Sequence, residues 1–186
     1  MSAPNDHCDH CDRCDRFRSF ESLGDAQPFV ARIVEIIDRI KVFAQLDQAE
    51  VVALARYMRC YRAPAGVEVI VEDEPGDFML LLIEGTMEIV KKDLRGLPVP
   101  IAEASPGKTL GEMSVIDGEP RFASCVTLTE AVFAVLDREQ LAHVLEDKPQ
   151  LGVKLLMQML VLLNQRLRNV SFQFMRCLDE QRQPAH

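Results

Sequence analysis

Histidine is scarce in this chain, and its placement matters more than its number. The four histidines are His7, His10, His143 and His186. All lie outside the central run of strand-like segments, so a barrel enzyme that holds its metal with several strand histidines has no ligands here. No Ser/His/Asp grouping or pair of catalytic acids stands out either, which leaves hydrolytic and acid–base chemistry without machinery. Positive charge is in deficit: 21 Lys and Arg stand against 29 Asp and Glu, for a formal net charge of −8. Wrapping nucleic acid requires clustered Lys and Arg, so the charge balance argues against an extended basic surface and leaves room for local patches. Long apolar runs are missing as well. The stretch 153–163 is apolar but stops at Asn164 and Gln165, short of the roughly 20 residues that span a bilayer. Residues 1–20 contain no apolar core of a secretory signal. The expectation is a soluble cytoplasmic protein with no membrane partner. Its six cysteines are then free thiols or metal ligands rather than disulfides.

What is present is enough for one domain with appendages: 186 residues, 48% of them hydrophobic, can build a substantial core. Three zones separate by pattern. Residues 1–27 are polar and read as a Cys/His-containing flexible tail. Residues 28–148 open with Val30, Ile33, Val34, Ile37 and Ile40 at helical spacing, and continue with a second helix over 43–58 capped by Asp47. From Tyr61 the period changes to short runs: 67–71, 78–83, 86–90, 99–101, 125–128 and 131–136, punctuated by glycine, proline and acidic turn residues. Many short strands and no alternation with crossover helices point to an α+β fold, an antiparallel jelly-roll β-roll with N-terminal helices. In the third zone, 149–186, Asp137 has already capped a short helix and Pro149 opens a long one reaching about Cys177. Val153, Leu156, Leu160, Leu163, Leu167, Val170, Phe174 and Cys177 form its heptad seam. Such a helix, on the order of 40 Å long, exceeds what one small barrel can cover. A second copy is the economical partner, and packing on its own domain is the alternative.

The richest segment runs from Leu110 to Ser124, Leu-Gly-Glu-Met-Ser-Val-Ile-Asp-Gly-Glu-Pro-Arg-Phe-Ala-Ser. Glu112 accepts hydrogen bonds only and suits a sugar hydroxyl. Arg121 is planar, permanently charged and able to fork onto phosphate. Amides of Glu112, Met113 and Ser114, at the start of a helical turn, add donors for an anion. A surface loop with an ordinary ion pair is the competing reading.

This segment resembles the phosphate-binding cassette of the cyclic nucleotide-binding domain family, within the catabolite activator and fumarate-nitrate regulator superfamily. The resemblance spans roughly residues 43–167 and includes Gly66, Gly76 and Gly85 at the family's hairpin turns. It implies that Glu112 holds the ribose 2′-hydroxyl and Arg121 the cyclic phosphate, with support from the backbone of Gly111, Met113, Ser114 and Ala123. Phe122 departs from the small residue many members carry beside the phosphate. In the family the long helix pairs two subunits and closes over the base. In the catabolite-activator branch a Thr-Ser pair on it reaches adenine; the matching positions are Val170 and Ser171, so only one hydroxyl is kept. Ser171 is otherwise a solvent-facing helical serine. After Ser171 fifteen residues remain, too few for the helix-turn-helix that the family's transcription factors carry. The expectation is a sensor without direct sequence-specific DNA binding, a homodimer that binds cyclic AMP or a related cyclic nucleotide and signals to an unknown effector protein.

Cys8, Cys11 and Cys14 sit in a tandem triplet, His-Cys-Asp, His-Cys-Asp, Arg-Cys-Asp. Two-residue spacing lets successive thiolates reach one zinc ion or an iron–sulfur cluster, with His7, His10 or a distant cysteine as fourth ligand. The superfamily's oxygen- and nitrate-sensing branch resembles this in carrying an N-terminal cysteine cluster. Its spacing differs, and its fourth cysteine falls on a strand that is Ala131–Ala134 here and supplies none. A metal or redox sensor with nucleotide binding lost is therefore the alternative function, and a reactive-thiol tail the bland one. A cupin-type enzyme is disfavoured by the histidine placement above.

Overall fold

The structure is a computed structural model and describes residue 17 and residues 19–182. In chain order its strands are β1 (Glu21–Asp25), β2 (Arg59–Ala63), β3 (Glu68–Ile70), β4 (Phe78–Glu84), β5 (Met87–Lys92), β6 (Pro98–Ala104), β7 (Thr109–Leu110), β8 (Ser124–Thr127) and β9 (Ala131–Asp137). Its helices are α1 (Val30–Glu35), α2 (Gln48–Ala55), α3 (Glu112–Asp117), α4 (Arg138–Asp147) and α5 (Pro149–Arg182). The strands form two antiparallel sheets, ordered β1-β2-β9-β4-β7 and β3-β8-β5-β6. This is the expected β-roll with flanking helices and a long C-terminal helix.

Strands β4 and β9 explain why their sequences are almost continuously apolar. Phe78, Leu80 and Leu82, with Ala131, Phe133 and Val135, point into the roll interior. The alternate residues Met79, Leu81 and Ile83, with Val132, Ala134 and Leu136, face a second core formed with the helices. A strand covered on both faces cannot alternate apolar with polar. Each of these side chains larger than alanine contributes on the order of 1.5–3 kcal/mol by leaving water, so this sheet is the anchor of both layers.

Several elements differ from the pattern reading. The helical periodicity over 28–40 resolves into the short α1 flanked by 3-10 turns at Gln27–Phe29, Ile37–Arg39 and Lys41–Phe43. The chain bends at Ile36 and Ile40, and the bend lets Ile33, Ile36 and Ile40 all reach the core. The helix expected over 43–58 contracts to α2, started by Asp47 in a capping box with Glu50. Strand β1 lies inside the segment assigned to a tail: it pairs with β2, and Phe17 and Phe20 are buried in the roll interior. Interleaved charged residues conceal β1, at the sheet edge, and β2 beside it in the sequence. The triplet cysteines Cys8, Cys11 and Cys14, with His7 and His10, lie outside the described residues.

Candidate functional site

The site forms where β7 meets α3 and the chain returns toward β8. Leu110 is paired to Leu80 across the sheet, which carries Glu112, one residue into α3, to the interior edge of the roll. Glu112 is fully buried. Arg121, nine residues on, is buried too, at 4% exposure, an unusual state for an arginine. Its Nη1 donates to the Gly111 carbonyl at 3.0 Å, and its guanidinium lies 4.2 Å over the Phe78 ring. Gly76 makes this placement possible: a Cβ there would fall 1.9 Å from Arg121 Nε. The glycine read as a hairpin turn is thus required by close approach.

A second loop fixes the arginine's backbone. Asp73 N–H donates to the Arg121 carbonyl at 3.0 Å and Arg121 N–H to the Glu74 carbonyl at 2.9 Å. Beside them the buried Glu72 carboxylate accepts from Lys91 Nζ at 2.6 Å and from Lys92 N–H at 2.8 Å. Lys91 also donates to the Phe122 carbonyl at 2.7 Å and sits 4.5 Å over the Phe122 ring. Phe122 is 57% exposed. The Lys91 hydrogen bond holds the Glu72 carboxyl below the usual range.

Glu112 is engaged by a residue the sequence reading passed over. Arg166 of α5 forms an ion pair with Glu112 Oε1, while its Nη2 donates to the Thr109 carbonyl at 3.1 Å. The other oxygen, Oε2, is buried with no hydrogen-bond partner among the described residues. Burial pushes the Glu112 carboxyl up, opposed by the cations of Arg166 and Arg121. The nearby Cys125 thiol is pushed up to about 12 by burial and senses Arg121, Glu112 and Arg166 together. Arg166 pairs with Glu112 and Arg121 donates to the carbonyl of the preceding Gly111, so the three charged side chains meet beside Gly111. A buried carboxylate with an open lone pair and a buried guanidinium can together receive a ligand bearing both a hydroxyl donor and an anion.

The profile of the Cyclic nucleotide-binding domain matches residues 60–148. A cyclic nucleotide-binding domain from Methylobacillus flagellatus KT is 35% identical, superposes with a TM-score of 0.79, and covers 90% of this chain and 96% of its own. The chain belongs to the cyclic nucleotide-binding domain family. The CRP-like cAMP-activated global transcriptional regulator of Mycobacterium tuberculosis is 30% identical over 122 residues, 66% of this chain and 54% of the regulator. The cAMP-dependent protein kinase regulatory subunit of Aspergillus fumigatus is 32% identical over 103 residues, 55% of this chain and 24% of that subunit. The chain thus spans about half the length of the first of these curated relatives and a quarter of the second.

In this cyclic nucleotide-binding domain the expected residues divide into two groups. Glu112, Ser114, Arg121 and Ala123 are buried, whereas Met113 and Phe122 are exposed. Ser171 is not brought to them: it is exposed on α5 and donates to the Leu167 carbonyl at 2.9 Å. Arg166, in the helix's seam region, had one signal in the sequence, a charge one residue before the apolar Leu167. Among the described residues no group of three His, Cys, Asp or Glu could hold a metal. No described helix is long and apolar enough to cross a membrane.

Proposed function

We propose that the domain is a non-enzymatic, homodimeric receptor for a cyclic mononucleotide, cyclic AMP foremost, and that α5 passes its occupancy to a partner protein. One observation carries this reading: two buried, oppositely charged side chains flank Gly111, and one of them is tied to the long helix. In this reading Arg121 takes the cyclic phosphate, helped by backbone N–H groups at Met113, Ser114 and Ala123, and Glu112 takes the ribose 2′-hydroxyl. The sugar then competes with Arg166 for Glu112, so ligand alters what holds α5 against the roll. Only a ligand with different affinity for the two arrangements of α5 can shift them. Cyclic AMP is favoured by the cAMP-activated and cAMP-dependent relatives.

The dimer reading rests on two stripes of α5. Leu151, Leu155, Met159 and Leu162 pack on the domain. Val153, Leu160, Leu167, Val170 and Phe174, all on the heptad seam, are exposed, Leu167 at 64%. A second copy of α5 would cover that stripe.

Calorimetry with cyclic AMP, cyclic GMP and linear AMP tests the receptor. The expected result is saturable heat with a cyclic nucleotide and at least a tenfold loss of affinity in Arg121→Ala, since charge-assisted bonds contribute about 1.5–3 kcal/mol each. Absence of heat with every cyclic nucleotide in the wild type overturns it.

A further inference from the structure

Beside Arg166, a cavity of 110 Å³ opens between three segments. Arg39, Lys41, Lys108 and Arg166 line it, and none of the described lining residues is acidic. Four cations around one small hollow are conspicuous in a chain whose formal charge is −8.

The fold assembles this cluster deliberately. Arg39 ends one 3-10 turn and Lys41 opens the next, with the fully buried Ile40 pinning the bend between them. The β6–β7 turn lies directly on Arg39, because Gly107 has no side chain: a Cβ there would come within 2.7 Å of Arg39 Cβ. That contact brings Lys108 alongside, in a turn held by Gly107 N–H to the Leu82 carbonyl at 2.8 Å and Lys108 N–H to the Ser105 carbonyl at 3.1 Å. Helix α5 closes the third side with Gln165, Arg166 and Asn169. Lys41 Nζ donates to the neutral Gln165 Oε1 at 3.1 Å, and Arg166 is held by the Thr109 carbonyl on Nη2 and by Glu112 on Nη1. No carboxylate among the described residues pairs with Arg39, Lys41 or Lys108.

Like charges converging in a concavity repel one another, and an anion entering it offsets the repulsion among Arg39, Lys41 and Lys108 while giving Arg166 a second partner beside Glu112. Guanidinium forks and ammonium groups suit tetrahedral oxyanions, and the Gln165 and Asn169 amides can donate to further oxygens. The volume is far below the roughly 300 Å³ of the smallest ordinary small-molecule sites, which favours a compact oxyanion over a nucleotide. We propose that this cavity is a second anion site, for inorganic phosphate or the phosphate of a small phosphomonoester, distinct from the Glu112 and Arg121 pocket and joined to it through Arg166. The site stands on its own residues whether or not the cassette binds a cyclic nucleotide.

Calorimetry of the full chain at constant ionic strength, with inorganic phosphate in one arm and glycerol phosphate in the other, tests it. Three proteins are compared: wild type, Arg121→Ala, and the surface double variant Lys41→Ala/Lys108→Ala, with folding checked by circular dichroism. Expected is saturable binding of at least one probe that survives Arg121→Ala and weakens at least tenfold in the double variant. Binding abolished by Arg121→Ala and kept by the double variant assigns the phosphate to the cassette and overturns the proposal. So does the absence of saturable binding to the wild type. Should the double variant fail to fold, Lys108→Gln alone is expected to weaken binding at least threefold, and unchanged binding overturns the proposal equally.

Discussion

At the residue scale the site is defined by two burials that charged side chains normally avoid. Burial of Glu112 raises its pKa, so in the folded state it holds a proton more readily than in the unfolded chain. Stability from this group therefore falls as pH rises from the ordinary glutamate value through the raised folded one. Glu112→Gln is expected to flatten that decline, read as urea midpoints between pH 4 and 8; a parallel decline in the variant would refute it. Glu72 works in the opposite sense. Its pKa is depressed chiefly by Lys91, so its contribution is present above the ordinary value and is lost as pH falls through the depressed one. Gly76→Ala tests the bare approach to Arg121. With a Cβ 1.9 Å from Nε, the guanidinium must move, and cyclic nucleotide affinity is expected to drop at least tenfold while the circular dichroism spectrum is kept. Affinity equal to wild type would mean that Arg121 has no fixed position to lose.

At the scale of elements, α5 does three jobs along its length. Its first turns pack on the domain, its middle carries Arg166 to Glu112, and its exposed seam continues outward over a helix about 50 Å long. Removing Arg166 strands a buried carboxylate, which costs about 1–3 kcal/mol. Arg166→Leu is therefore expected to lower the urea midpoint, and Arg166→Leu with Glu112→Gln to recover part of the loss, the signature of direct coupling. Strict additivity of the two changes would rule the coupling out. Leu163→Glu places a charge in the seam and, on the proposed pairing of two α5 helices, is expected to sediment as a monomer where the wild type sediments as a dimer; a variant that sediments as the same dimer moves the interface elsewhere. Helix α2 offers a local check, since Asp47→Ala removes its capping box and is expected to cost about 1 kcal/mol in thermal or urea unfolding.

At the scale of the whole molecule, an aromatic cluster joins the first described residues to the site. Phe17 stacks on Tyr61 at 4.6 Å and meets Phe78 edge-on at 4.9 Å, and Phe78 underlies Arg121. Phe20 fills the same interior against Phe133, so Phe20→Ala is expected to cost about 3–5 kcal/mol of stability, measured by urea unfolding; a loss under 1 kcal/mol would show that this segment does not close the roll. Most strands were legible because β3 to β6, β8 and β9 are apolar runs broken by turn residues, and Asp47, Asp137 and Pro149 announced their helices. Strands β1, β2 and β7 were not, because edge position, interleaved charge and a length of two residues erase periodicity. Helix α1 was legible, but its breakup into 3-10 turns was not, since 3-10 turns and α-helix share apolar spacing over one or two turns. By itself, then, the sequence determined the roll and the long helix and singled out Glu112 and Arg121, because local periodicity and side-chain chemistry are written residue by residue. Only the tertiary structure decided that Arg166 holds Glu112, that Gly76 yields to Arg121, and that four cations from distant segments share one cavity. Those facts depend on which segments the hydrophobic cores bring together, and no local pattern encodes that.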